Sequence, residues 1–409
     1  MEKLHVAHIS ENDDPLGIVG GEQAGGMGIY VRDLAASLAA LHVSCDIYTR
    51  QMGGIPHAMA RIAPNARVIR VNTEPIDPGN ARSAKDFAAK VLEYIARNHL
   101  RYDLIHSHYY LSGLAAAHIK EQLGIPLVHT FHSLGLMRQR AVGANDARLS
   151  QRIAIEGELA RLSDAIIATS PEEKISLMRQ YRVSSETISL IPAGIVTGHF
   201  VPIDRKAAQR KLKLPDKPMV LFAARINQRK GADTFIAMIK MLVRDHKLDV
   251  LGVVLTGDPR PRYRSPNERR LLERLRRLIN RLGMQAHILM LPCQPQQMLR
   301  YYYSAAAVTV VPSYYEPFGL VAIESMAMGT PVVASRVGGL KWSLQDGITG
   351  FLVPPKEPRL FADRVSTILS QPHLAQRLSE NCLEISRRKF LWHDIAKDIL
   401  KVYQKTMQQ

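Results

Sequence analysis

The sequence predicts an α/β protein of two doubly wound halves, and three observations carry that prediction. Short apolar, β-branched runs alternate with amphipathic helices along most of the 409 residues, as expected of parallel sheets with helices on their faces. The alternation breaks near residues 195–217, a stretch with Pro, Lys and Gly but little apolar periodicity, and then resumes. Length, 46% hydrophobic residues and 22% charged residues suit about two ordinary globular domains.

In chain order, the first-half strands read "LHVAHIS", "CDIYT", "ARVIRVN", "DLIHSH", "PLVHTF", "AIIATS" and "TISLIP". The second-half strands read "PMVLFAA", "VLGVVLTG", "AHILMLP", "AVTVVPS", "PVVAS" and "GFLVP". The stretch 195–217 is taken as an inter-domain linker. Residues 387–409 read as a closing helix with Phe390, Trp392, Ile395 and Ile399 as its apolar set. Domains are therefore expected over 1–200 and 201–385, with a C-terminal helix over 386–409. Cys45, Cys293 and Cys382 are far apart, form no C-x-x-C and predict buried apolar residues rather than a disulfide or metal framework. The start lacks the apolar core of a secretory signal, and no apolar run reaches ~18 residues, so a cytoplasmic location is expected.

A net charge of +17 suits anionic partners: nucleic acid, anionic lipid or phosphorylated small molecules. Much of it lies in 260–281, where Leu271, Leu272, Leu275 and Leu278 form an apolar stripe between arginines. That pattern predicts a solvated helix packed on a sheet. Zinc-finger spacing, RNP-type aromatics and long basic tails are missing, so no nucleic-acid partner is expected. Peripheral contact with an anionic membrane surface stays open.

The candidate chemistry sits at strand ends. Glu316 and Glu324 flank Pro317-Phe318-Gly319-Leu320, between an apolar strand and a helix. A helix N-terminus there suits an anionic or hydroxyl-rich ligand, and carboxylates grip sugar hydroxyls. Arg225 and Lys230, just before Gly231, supply charge for phosphate oxygens after another strand. Gly20, Gly21, Gly25, Gly26 and Gly28 line the first strand-to-helix turn without the G-x-G-x-x-G spacing, yet permit close backbone approach. His106, His108, His129 and His132 gather at strand ends without carboxylate companions at metal spacing. His106 and His129 read as hydrogen-bonded structural residues, and His132 as the substrate contact.

Together, "GGMGIYV", "HTFHSLG", the Arg225 to Lys230 pair and Glu316 to Glu324 resemble the retaining nucleotide-sugar glycosyltransferases of family 4, across nearly the whole chain. The resemblance implies the GT-B fold: two Rossmann-like domains facing a cleft, the acceptor held mainly by the first, the donor by the second, and the C-terminal helix crossing back. Carried over, Glu324 would bind ribose hydroxyls, Arg225 and Lys230 the diphosphate, and Gly25 and Gly26 would approach the phosphates. Glu316 with Phe318, Gly319 and Leu320 would hold the transferred sugar, and His132 its 6-hydroxyl region. His132, Arg225, Lys230 and Glu316 would form the catalytic set, with no cofactor beyond the donor co-substrate, a UDP-sugar, and no metal, since the chain has no Asp-x-Asp. Within the family, "HSHYYLSG", "HTFHSLG" and "QRIAIEGELARLSDAIIATS" look most like the mycothiol-pathway inositol-phosphate enzymes and the sucrose-phosphate synthases. On that similarity Tyr109, Ser133 and Arg152 would surround an acceptor phosphate. Gly28 departs from the mycothiol branch, which carries an acceptor-contacting Asn there. A lipid-linked or polysaccharide acceptor, a nucleotide-sugar epimerase or phosphorylase, and an inactive binding protein are the competing readings.

Overall fold

A computed structural model describes residues 4–17, 25–51, 59–73, 81–143, 147–196, 198–261 and 264–408. They divide into two compact units: one takes in the described parts of Met1–Gly17, Gly26–Ala193 and Trp392–Gln409, the other those of Ile18–Gly25 and Gly194–Leu391.

The first unit is built on an eight-stranded sheet. Its strands are β1 (His5–Ile9), β2 (Ser44–Arg50), β3 (Met59–Ala63), β4 (Ala66–Val71), β5 (Leu104–His108), β6 (Leu127–Thr130), β7 (Ala165–Ala168) and β8 (Ile188–Leu190). They lie in the order β3-β4-β2-β1-β5-β6-β7-β8. Each neighbouring pair is parallel except β3 with β4. Both faces are covered, which is why the strands read as nearly continuous apolar runs. One core holds Ala7, Ile9, Ile105 and Leu127 against Phe87, Val91 and Ile119 of helices Ala81–Arg97 and Tyr110–Leu123. Another holds Phe131, Ile166 and Ala168 against Leu159 and Leu177 of helices Ala147–Leu162 and Pro171–Gln180. The helix at 171 starts where Ser170 accepts the Glu173 N–H, Pro171 takes the first turn, and Glu173 turns back to the Thr169 N–H at 2.7 Å.

The second unit carries β9 (Met219–Ala223), β10 (Leu251–Leu255), β11 (Ile288–Leu291), β12 (Ala306–Val311), β13 (Val332–Ser335) and β14 (Gly350–Val353), in the order β11-β10-β9-β12-β13-β14. All neighbours are parallel. Its core joins Val220, Phe222, Val254 and Val308 to Phe235, Ile239 and Phe361. Strand order reverses between β1 and β5 in the first unit and between β9 and β12 in the second. Such switch points open a crevice beyond the strand carboxyl ends, where ligands bind.

Four expectations need correction. β3 was missed because Arg61 interrupts the short apolar run of "MARIA", which lies partly exposed at the sheet edge. The supposed linker contains a helix, Arg205–Lys211, capped by Asp204 and burying Ala208 and Gln209. The closing helix starts at Trp392, since 387–389 end the preceding helix Pro372–Lys389 and the Phe390 carbonyl accepts the Ile195 N–H at 2.7 Å. Gly26 and Gly28 belong to helix Gly26–Ala40 rather than to a turn, and Gly20 and Gly21 lie outside the described residues. The three cysteines are buried and unpaired, and Leu272 and Leu275 of the basic helix Pro266–Leu282 are buried. Among the described residues no helix is long and apolar enough to cross a membrane.

Candidate active site

In the second unit, β9 ends two residues before Arg225, and a single tight turn, Gln228–Lys230, brings Lys230 to the start of helix Ala232–Arg244. Gly231 makes this turn work. Its φ is +72°, and a Cβ there would lie 2.1 Å from the Pro312 carbonyl oxygen, so only glycine lets the turn press against the end of β12. The Arg229 carbonyl accepts the Tyr314 N–H at 2.7 Å and locks the two loops together. Lys230 Nζ consequently donates to Glu316 Oε2 at 2.6 Å, with Ser313 Oγ donating to the same oxygen at 3.1 Å. Gly338 closes over the other side, because a Cβ there would sit 2.0 Å from the Glu316 carbonyl oxygen.

Beyond Glu316, Gly319 adopts φ +97° and opens helix Leu320–Ala327 without a side-chain cap. That geometry aims first-turn N–H groups past the strand end. Phe318 is buried, edge-on to Trp342 and Phe390. Glu324 is buried as well and accepts from Tyr303 O–H at 2.7 Å. The two glutamates thus have different partners, a cation for Glu316 and a phenol for Glu324. Gly25, grouped with this unit, lies against Arg225: a Cβ on it would stand 2.7 Å from the guanidinium carbon. The backbone near Leu291–Cys293, at the end of β11, is partly committed, since the Leu291 carbonyl accepts Thr256 N–H and Cys293 N–H donates to the Gly257 carbonyl.

In the first unit the structure joins Tyr109, Ser133 and Arg152 directly. Arg152 is buried. Its Nη1 donates to Tyr109 Oη at 3.1 Å, its Nη2 to Ser133 Oγ at 2.9 Å, and its Nε to Glu156 Oε1 at 2.6 Å. The guanidinium also lies 4.9 Å from the Tyr109 ring centre and 5.1 Å from that of Tyr110, a cation over aromatic faces. Glu156, fully buried, takes further hydrogen bonds from Gly135 N–H and Tyr181 O–H. Tyr109 follows β5 with φ +77°, and His132 follows β6 with φ +57°. Non-glycine residues held there cost about 1–3 kcal/mol each, and such strain gathers at functional sites.

His132 ends a chain of histidines. His8, His106, His108 and His129 have no exposed surface. Burial pushes His8 and His129 down to about 3, desolvation does the same to the half-buried His132, and His106 and His108 fall well below the usual range, so all are neutral near pH 7. Nitrogen atoms of His8, His106 and His108 lie within 4.8 Å of one another. Their ring nitrogens engage in hydrogen bonds: His106 meets Tyr403 Oη at 2.6 Å and Thr130 Oγ1 at 2.9 Å, and His108 meets His8 and His132. Tyr403 comes from the closing helix, whose Trp392 stacks edge-on to Tyr30.

Sequence reasoning missed Glu156, Tyr303, Ser313, Gly338 and His8. Only Glu156 had a local signal, the i, i+4 spacing from Arg152 on one helix.

Two family models cover most of the chain: "Glycosyltransferase Family 4" over residues 24–199 and "Glycosyl transferases group 1" over 204–384. The chain is 34% identical to a D-inositol 3-phosphate glycosyltransferase of Acidothermus cellulolyticus, over 97% of this chain and 89% of that protein. It is 33% identical to one of Corynebacterium efficiens, over 98% and 95%. Among solved structures, a sucrose-phosphate synthase from Thermosynechococcus elongatus superposes with a TM-score of 0.88 at 33% identity, covering 98% of each chain. The Anabaena protein HepE, solved with UDP-glucose, shares the fold at a TM-score of 0.77 and 18% identity, over 98% of this chain and all of that one.

Proposed function

We propose that this chain, which belongs to the retaining glycosyltransferases of family 4, moves a hexosyl group from a UDP-sugar to a hydroxyl of a small phosphorylated acceptor, a sugar phosphate or cyclitol phosphate. The acceptor assignment is carried by one observation: Arg152 is buried beside Tyr109 and Ser133, directly beyond the carboxyl ends of β5 and β6. A guanidinium, a phenol and a hydroxyl at a strand mouth are the donors a phosphate monoester needs. Relatives named for D-inositol 3-phosphate and sucrose phosphate agree with it.

On the donor side we assign the ribose hydroxyls to Glu324 and the diphosphate to Arg225, Lys230 and the Gly25-Gly26 backbone. The transferred sugar goes to Glu316, the backbone of Phe318, Gly319 and Leu320, and His132. The acceptor oxygen attacks the anomeric carbon from the leaving-group side, the bond to the β-phosphate breaks, and the acceptor proton passes to a β-phosphate oxygen. Charge accumulates on the diphosphate, so fixed cations supply most of the stabilisation. Lys230 is well placed for this because Glu316 holds its ammonium at one end. The carboxylates position rather than exchange protons.

The deciding experiment measures nucleoside diphosphate release from UDP-hexose with phosphorylated acceptors and their dephosphorylated counterparts. Hydrogen bonds to charged groups contribute ~1.5–3 kcal/mol each, so loss of the phosphate is expected to lower kcat/KM at least ~10-fold. Equal rates with both would refute the acceptor assignment. A thermal-shift screen of nucleoside diphosphates checks the base: a ligand at 100 times its Kd stabilises by ~2.7 kcal/mol.

A further inference from the structure

The buried histidine chain leads to the transferred sugar's binding mode. His8 Nδ1 lies 3.2 Å from His108 Nε2, and His108 Nδ1 lies 3.0 Å from His132 Nε2. A neutral imidazole has one N–H and one lone pair. His108 must therefore donate through one nitrogen and accept through the other, so both hydrogen bonds run in the same direction. If they run outward, from His8 through His108 to His132, the His132 proton sits on Nδ1 and His8 Nε2 is a bare lone pair. If they run inward, His8 Nε2 carries an N–H. His8 has no exposed surface, and its Nε2 meets no hydrogen-bond partner among the described residues. A buried N–H without an acceptor is the rarer and costlier orphan. The outward direction avoids it.

We propose that His8 and His108 are positioning residues that hold His132 in its Nδ1–H tautomer, so that His132 meets the transferred sugar as a hydrogen-bond donor. The inference rests on the reading of His132 as a sugar contact. A donor N–H selects a sugar carrying an acceptor oxygen where His132 reaches it. It accepts a hydroxyl, a methyl ether or a carboxylate there, and disfavours a deoxy sugar. An accepting nitrogen would instead require a hydroxyl proton and reject the ether and the carboxylate.

The test uses the full-length protein with isotope-labelled histidine, since ring-nitrogen NMR shifts separate protonated from unprotonated nitrogens. In the ligand-free wild type, the His132 signals, assigned by their loss in His132→Ala, are expected to show Nδ1 protonated. In His8→Phe the same signals should become a mixture of tautomers, with kcat lowered several-fold and KM for the acceptor unchanged. A wild-type His132 protonated on Nε2 overturns the proposal, and so does a folded His8→Phe with an unaltered tautomer. If the tautomer is as expected but His132→Ala turns over like wild type, the sugar contact is wrong and the proposal falls with it. Should His8→Phe not fold, the wild-type spectrum decides the tautomer. Turnover of 6-O-methyl against 6-deoxy donor sugars then decides the contact: a preference for the ether supports donation, and none refutes it.

Discussion

Replacing Arg152 by Met should expose how far the proposed acceptor site is also part of the core. Both members of the Arg152–Glu156 pair are buried, at 5% and 0% side-chain exposure. Removing one partner of such a pair costs about 3–5 kcal/mol, because the other charge stays behind uncompensated. Glu156 keeps the Gly135 N–H and the Tyr181 O–H, which places the loss at the lower end, about 3 kcal/mol. For a unit of this size that is a fall in Tm of roughly 6–12 °C. Calorimetry on Arg152→Met, Glu156→Gln and the double variant reads the coupling, and the double variant should recover most of the loss. Acceptor KM should rise in every variant lacking Arg152, recovered stability notwithstanding. A double variant no more stable than Arg152→Met would refute the pairing as the source of the cost. Recovery of acceptor KM along with stability would show that Arg152 serves only the fold.

Lys230→Ala should lower kcat about 10²–10³-fold, the scale of losing one charge stabiliser at a transition state, with a small change in Tm; near-normal turnover contradicts the role assigned to the ammonium. Gly231→Ala should lose both stability and turnover, because φ +72° strains alanine and its Cβ would overlap the Pro312 carbonyl; unchanged Tm would mean the turn relaxes freely. Burial raises the Glu173 carboxyl from its usual 4.5 to about 7. Its contribution is therefore fully present below pH 4.5 and is lost as pH rises through 7. Tm measured across that window should fall with pH more steeply in wild type than in Glu173→Gln, and parallel curves would dismiss the shift.

Much of the architecture was legible because its causes are local. A parallel strand buried on both faces needs a short uninterrupted apolar run, and "VLFAA" or "AVTVV" declares one wherever it occurs. "MARIA" failed that test, because Arg61 interrupts it and an edge strand need not be apolar throughout. The segment after 195 misled for the opposite reason: its short helix depends on an Asp204 cap and on tertiary packing rather than on a long apolar stripe. At the site, Arg225, Lys230, Glu316 and the Pro-Phe-Gly turn were readable from residue type next to a strand end. Their pairing was not, since Lys230 and Glu316 stand 86 residues apart.

The amino-acid order by itself determined two doubly wound sheets, the turns that interrupt them and the polar residues at their carboxyl ends, because periodicity and turn chemistry act over a few residues. Only the tertiary structure decided which of those residues meet. Strand order sets β1 beside β5 and β9 beside β12, and that adjacency brings His8 to His108 and the Lys230 turn against the end of β12. Burial then turns Arg152 from one more helix arginine into half of a desolvated ion pair. Low dielectric and the demand that every buried polar group find a partner give these contacts their meaning, and both arise only once the chain has closed around them.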